Sequence, residues 1–184
     1  MDVKEVTTGK LGKLGGVYRA PAETALPTDA TTDLAADFKN IGEVSEDGIT
    51  KSYSYESEEI KNMDGAVVLT VQTSKGVTYA FKDISLLNID AMKAVYGEDN
   101  VTGSLETGIS IEENDDEPEE AVWVIDMVCS DGTLHRTVIP RGKISDIGDV
   151  VYKNDEAAGY DLTLSCLKDN DGVKVYEYYA EEES

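Results

Sequence analysis

The side chains able to do chemistry are few, and their spacing builds no reaction centre. His135 is the only histidine, with Ser130 and Asp131 close to it in the chain. A hydroxyl, an imidazole and a carboxylate form a nucleophilic triad by converging in space, and adjacency across one tight turn does not supply that. His135 falls in an expected strand, Thr133 to Ile139, where it pairs with a carboxylate or meets solvent. Cys129 and Cys166 each stand in an apolar stretch, VIDMVCS and LTLSCLK, which points to free buried thiols rather than a disulfide framework. One histidine and two separated cysteines make no zinc ligand set. The stretch Lys168-Asp169-Asn170-Asp171-Gly172 has a calcium-loop flavour. Aligning Gly172 with the obligatory loop glycine puts Leu167 at the first ligand position and Tyr178 at the last, so a hairpin turn is the better reading. The glycines of GKLGKLGG, Gly9 to Gly16, fit neither a dinucleotide fingerprint nor a P-loop. No catalytic, cofactor or metal site is expected, and the chain is not read as an enzyme.

Charge narrows the field further. The 184 residues carry 38 acidic and 16 basic side chains, a net charge of −22, so adhesion to nucleic acid or anionic lipid is opposed electrostatically. The imbalance is uneven: Met1 to Ala20 has a net charge of +2 and the remainder −24. No apolar stretch has the length of a signal peptide or a membrane span, so no membrane partner is expected and the chain is expected to begin in a cytoplasm. Residues 1–35 read as a largely irregular, basic amino-terminal arm. It carries Lys4, Lys10, Lys13 and Arg19 and leads into the Ala, Thr and Pro-rich APAETALPTDATTDL. Such an arm is either a loose terminus or a strap across a neighbouring acidic subunit.

Residues 36–184 read as one mainly β domain, because short Val, Ile, Thr and Tyr-rich runs alternate with Gly, Asp and Asn. Strands are expected at 39–44, 49–61, 66–73, 77–84, 108–113, 121–129, 133–139, 143–152, 160–167 and 173–180. Ser74-Lys75-Gly76, Ser130-Asp131-Gly132 and Asn170-Asp171-Gly172 offer hairpin turns. One short helix is expected at about 88–96, capped by Asn88 or Asp90, stopped at Gly97, with Ile89, Met92 and Tyr96 on one face. Seven of the ten residues in IEENDDEPEE are acidic, so 112–120 is a solvated loop. Tyrosine is enriched, ten against two Phe and one Trp, which suits either ordinary strands or half-buried interfaces.

The order of these segments resembles the tail tube, or major tail, proteins of long non-contractile-tailed bacteriophages. The carriers are GVYRAPAETALPTDA at 16–30, FKNIGEVSEDGIT at 38–50, AVYG at 94–97 and HRTVIPRGKISDIGDVVYKNDEAAGYDLTLSC at 135–166. The chain departs from the pattern at Asn62-Met63-Asp64-Gly65, where relatives often have a tryptophan-containing turn. The resemblance implies a β-sandwich or partly rolled barrel with a flanking helix, whose copies form hexameric rings stacked around a tape-measure protein. It also implies tail tip and terminator proteins as partners, a virion location after assembly in the host cytoplasm, and a lumen through which DNA passes without specific binding. Lys4, Lys10, Lys13 and Arg19 become candidates for contacts to an adjacent subunit. Residues 49–61 and 66–73 become a long protruding hairpin, since Tyr53, Tyr55, Glu56, Glu58 and Glu59 make the first run too polar for a core strand. On these grounds, removing Met1 to Ala20 is expected to block assembly and leave the domain folded. The reading from another class is a monomeric β-sandwich that binds carbohydrate or a cell surface.

Overall fold

The computed structural model describes residues 6–11 and 16–181; Lys4 and Lys13 lie outside these. The architecture is mainly β with one short helix. Its spine is an antiparallel pair, β8 (Ala121–Cys129) and β9 (Leu134–Ile147). The expected turn joins them: the Cys129 N–H donates to the Thr133 carbonyl at 2.8 Å, and Asp131 accepts from the Thr133 N–H and hydroxyl. On the far edge of β8 lie β2 (Gly16–Pro21) and then β3 (Lys39–Gly42), with the two-residue β1 (Gly9–Lys10) against the end of β8.

The other edge of β9 takes two partners in succession. β11 (Tyr176–Ala180) pairs with residues 134–138 and β10 (Tyr160–Leu167) with residues 141–147. Pro140, which has no N–H to donate, sits at the change of partner. The separate strands expected at 133–139 and 143–152 are therefore one continuous strand, and 148–159 is a connection without strand. Beyond β10 come β5 (Val67–Asp83) and the edge strand β4 (Val44–Lys61). A small separate hairpin pairs β6 (Val101–Ser104) with β7 (Gly108–Ile111).

One core joins the two halves of the sheet, as in a β-sandwich. Val17, Trp123, Ile125 and Ile139 cluster with Tyr79, Phe81, Leu162 and Leu164, all buried. Trp123 donates to the Gly142 carbonyl at 3.3 Å, and its ring lies 2.5 Å from where a Gly142 Cβ would stand, so this close approach requires glycine. The helix α1 (Ile89–Tyr96) closes the core. The Asn88 side chain accepts from the Asp90 and Ala91 N–H groups, and the Gly97 N–H returns to the Lys93 carbonyl. Of the expected stripe Ile89, Met92 and Tyr96, Met92 is buried and Tyr96 is half-buried against the core, while the fully buried face also takes in Ala91, Ala94 and Val95.

The opposite face of β8 is covered as well. Ala20, Phe38, Val122, Val124 and Val138 form a second cluster beneath Leu26 and Leu34, so the segment between β2 and β3 lies on the sheet as a cover. Arg136 fastens it: its guanidinium grips the Asp126 carboxylate at 2.7 and 2.9 Å and donates to the carbonyls of Asp29 and Thr32. Asp29 in turn is held down to a pKa of about 2 by the Thr32 N–H and hydroxyl and the Thr31 N–H. Within 1–35, then, residues 16–21 are a sheet strand, with Val17 and Ala20 essentially inaccessible. The expectation that the domain folds without Met1 to Ala20 is corrected on that ground, because the deletion removes two core side chains and a paired strand.

Candidate assembly surface

β4 and β5 are 18 and 17 residues long, far beyond an ordinary strand, and their ladder runs from Val44↔Asp83 out to Lys61↔Val67. The turn at the tip follows from Asn62-Met63-Asp64-Gly65. Asn62 Oδ1 accepts from the Asp64 and Ala66 N–H groups, and Gly65 adopts φ 83°, a left-handed conformation that costs glycine little. The expected turn at Ser74-Lys75-Gly76 is absent, because this stretch is extended within β5 and paired with Ser54, Tyr55 and Glu56. A side chain at 76 would displace the Ser54 hydroxyl from its present position.

β5 alternates strictly at its base, where Val77, Tyr79, Phe81 and Asp83 are buried, and loses that alternation from Lys75 outward, where every residue to Val67 is exposed. The outer hairpin is thus a two-stranded ribbon solvated on both faces. Directly opposed residues of an antiparallel pair share a face. Tyr53 and Tyr55 therefore lie on the face continuous with the core, beside Lys75, whose ammonium stands 4.9 and 5.7 Å from their ring centres. The other face carries Glu56 and Glu58 beside an apolar strip of Ile60, Leu69 and Val71. Tyr53 is 51% exposed, Tyr55 63% and Leu69 53%. Glu56 accepts from the Ser74 hydroxyl at 2.9 Å, and Glu59 lies 3.8 Å from Lys61. Among the described residues, β4 is the sheet's edge along its whole length and β10 covers β5 only from Thr78 to Asp83, so neither edge of the outer ribbon has a strand beside it.

At the root of the ribbon, Lys51 pairs with Glu177 at 2.9 Å, and Glu177 also accepts from the Tyr79 hydroxyl at 3.3 Å. Burial disfavours the charge on Lys51, but Glu177 and the Tyr53 and Tyr79 hydroxyls outweigh it and hold its pKa above the ordinary value. His135 stacks on Tyr179 at 4.1 Å with Nε2 3.8 Å from Glu177. Burial, helped by Lys51 and opposed by Glu177 and Asp126, pushes its pKa below the ordinary value. Ser130 instead bonds Thr7 and the Thr8 N–H, and Asp131 bonds Thr133, so the structure does not bring these two to the imidazole as a triad. Lys168 to Gly172 form the expected turn, in which the Asp169 side chain accepts from the Asp171 and Val173 N–H groups and the Tyr176 hydroxyl.

The described arm residues are placed as follows. Lys10 is exposed in β1, and Arg19 is engaged within its own chain, 3.6 Å from Glu98 and 3.8 Å from Glu119. A buried carboxylate was not foreseen from the sequence. Asp83 is 1% exposed; Oδ1 accepts from the Ser85 N–H at 2.8 Å, and Oδ2 has no partner among the described residues. Burial pushes its pKa up to about 6 against the Ser85 hydrogen bonds, and Glu43 adds to the rise. The alternation of Val77, Tyr79 and Phe81 within the expected strand 77–84 already places position 83 on the buried face.

A folded body with a long ribbon, apolar in part and open at both edges, is the form of a subunit that neighbours complete, since isolated proteins avoid such edges and patches. The phage tail tube protein family matches residues 5–184, and the chain belongs to that family. It is a structural protein of the bacteriophage tail, located in the virion and made to self-assemble. No curated protein matches the chain.

Proposed function

We propose that this chain polymerises as stacked rings, six copies in each, into the tail tube, and that the β4–β5 ribbon is the element that joins copies. The observation that carries this reading is the ribbon itself: exposed on both faces, with unpaired edges that strand addition from adjacent ribbons would satisfy. Ribbons pooled around a ring make a closed barrel, which removes every edge. Tyr53, Tyr55, Glu56, Glu58 and Glu59 then lie in the contact between subunits, and Lys4, Lys10 and Lys13 belong to the part of the chain that meets the next subunit or ring, with Arg19, held by Glu98 and Glu119, at its root. A tape-measure protein occupies the lumen during assembly in the host cytoplasm, and tip and terminator proteins bound the tube. A subunit of net charge −22 supports a wall that repels duplex DNA from all sides, so the genome slides without a binding site.

Negative-stain electron microscopy of the concentrated protein at two salt strengths, with light scattering, tests the reading. Rings or hollow tubes are expected. A chain that stays monomeric at every concentration, with the tail tip complex added as initiator, refutes it.

A further inference from the structure

At the root of the ribbon, between β5 and the turn that follows β10, lies a cleft of about 570 Å³. Its walls carry Lys51, Lys75, Lys168 and Lys174 beside Tyr53 and Val77, and no carboxylate is among the lining residues. In a chain with more than twice as many acids as bases, four lysines around one carboxylate-free cleft stand out. Lys51 is neutralised by Glu177. Lys174 donates to the Lys75 carbonyl, and Lys75 lies over tyrosine rings. Among the described residues, none of Lys75, Lys168 and Lys174 has a carboxylate within 4 Å.

The acidic loop shows the converse imbalance. Glu117 binds Lys143 at 2.6 Å, Glu119 reaches Arg19 and Glu120 binds Arg141, which anchors the loop's second half. Glu112, Glu113, Asp115 and Asp116 are exposed and have no cation within 4 Å among the described residues.

We propose that the cleft of Lys75, Lys168 and Lys174 receives the free first half of the acidic loop, residues 112–116, of a second copy of this chain. The proposal rests on the tube reading above and adds to it a specific electrostatic contact. Charge complementarity selects the occupant. Each copy brings one cleft and one loop, so the contact propagates at matched stoichiometry around or along an assembly. A polyphosphate chain would suit three lysines locally, but a body of net charge −22 repels it, whereas the loop is delivered by the assembling subunit itself. Exposed ion pairs are individually weak and screened by salt, so the contact directs register and gains strength by repetition.

The test is reciprocal charge reversal in the full chain. Variant one carries Lys75→Glu, Lys168→Glu and Lys174→Glu; variant two carries Glu112→Lys, Glu113→Lys and Asp115→Lys. Each alone is expected to raise the critical concentration for assembly about tenfold or more while shifting the thermal midpoint by no more than about a few degrees, as three lost exposed ion pairs per contact imply. An equimolar mixture is expected to co-assemble near the wild-type concentration. Zero-length carbodiimide cross-linking of mixed isotope-labelled wild-type polymer should join cleft lysines to loop carboxylates between copies. Tubes from variant one at wild-type concentration, or cross-links from the cleft only to other segments, overturn this contact and leave the tube reading intact. Binding of a DNA duplex by wild type but not by variant one, with assembly unaffected, assigns the cleft to phosphate and overturns it too. A wild-type chain that never assembles overturns both readings.

Discussion

Replacing Asp83 by Asn is expected to stabilise the domain at neutral pH, and by less as the pH falls. Asp83 is inaccessible, with one oxygen bonded to the Ser85 N–H and the other bonded to nothing among the described residues; Glu43 and Tyr160 face it without offering a positive charge. Its pKa stands at about 6 against an ordinary 3.8. A carboxyl whose folded pKa is raised is ionised more readily in the unfolded chain. Its contribution is therefore most favourable below the unfolded value and becomes a cost as pH climbs to about 6, where the cost levels off. Two units of displacement correspond to a cost of about 3 kcal/mol at pH 7 and about 1.5 kcal/mol at pH 5. The Asn amide escapes that cost at both, although its N–H groups meet no acceptor, which takes back about 1–3 kcal/mol. That last quantity does not depend on pH. The difference in stability between D83N and wild type should thus shrink by about 1 kcal/mol between pH 7 and pH 5, whatever its absolute size. Urea unfolding followed through the fluorescence of Trp123, the single, fully buried tryptophan, measures it. A gap that stays constant across this range refutes the reasoning, because Asp83 would then have equal proton affinity in the folded and unfolded chains.

Three other outcomes follow from the same geometry. Tyr53→Asp with Tyr55→Asp is expected to shift the thermal midpoint by no more than a few degrees, since both rings are more than half exposed, yet to abolish tubes visible by electron microscopy. Arg136→Met should cost about 3 kcal/mol or more in chemical unfolding, because it strands Asp126 and the carbonyls of Asp29 and Thr32, and should open residues 22–37 to limited proteolysis. Removing residues 1–11 should leave folding intact by circular dichroism while impairing assembly, whereas a deletion extended through Ala20 should yield no folded protein, because Val17 and Ala20 leave the core.

Much of this molecule is legible along the chain. β8 and β10 begin and end where their apolar runs do, the helix lies between its Asn88 cap and its Gly97 stop, and the turns at 130–133 and 169–172 follow their Asp and Gly residues. The polarity of residues 53–59 makes that run unsuited to a core strand, and the segment order resembles that of the tail tube family. These are local signals: periodicity, caps, and residues that tolerate particular backbone angles.

Only the tertiary structure decided the rest. Ser74-Lys75-Gly76 has turn composition but is extended, since pairing with β4 outweighs a weak local preference, and a side chain at 76 would displace the Ser54 hydroxyl from its present position. Pro140 reads as a strand end, yet β9 runs through it because the edge partner changes there. Residues 16–21 sit in a segment that looks irregular and become a strand because β8 offers an open edge. The buried charge on Asp83 and the meeting of Lys75, Lys168 and Lys174 depend on residues far apart in sequence and brought together by the sheet. The sequence alone determined which segments could be strand, helix or turn, and the order of those segments carried the resemblance to the tail tube family. Which strands pair, and so which charges are buried and which converge, was settled by long-range pairing and packing, whose energies exceed any local preference and leave no local trace.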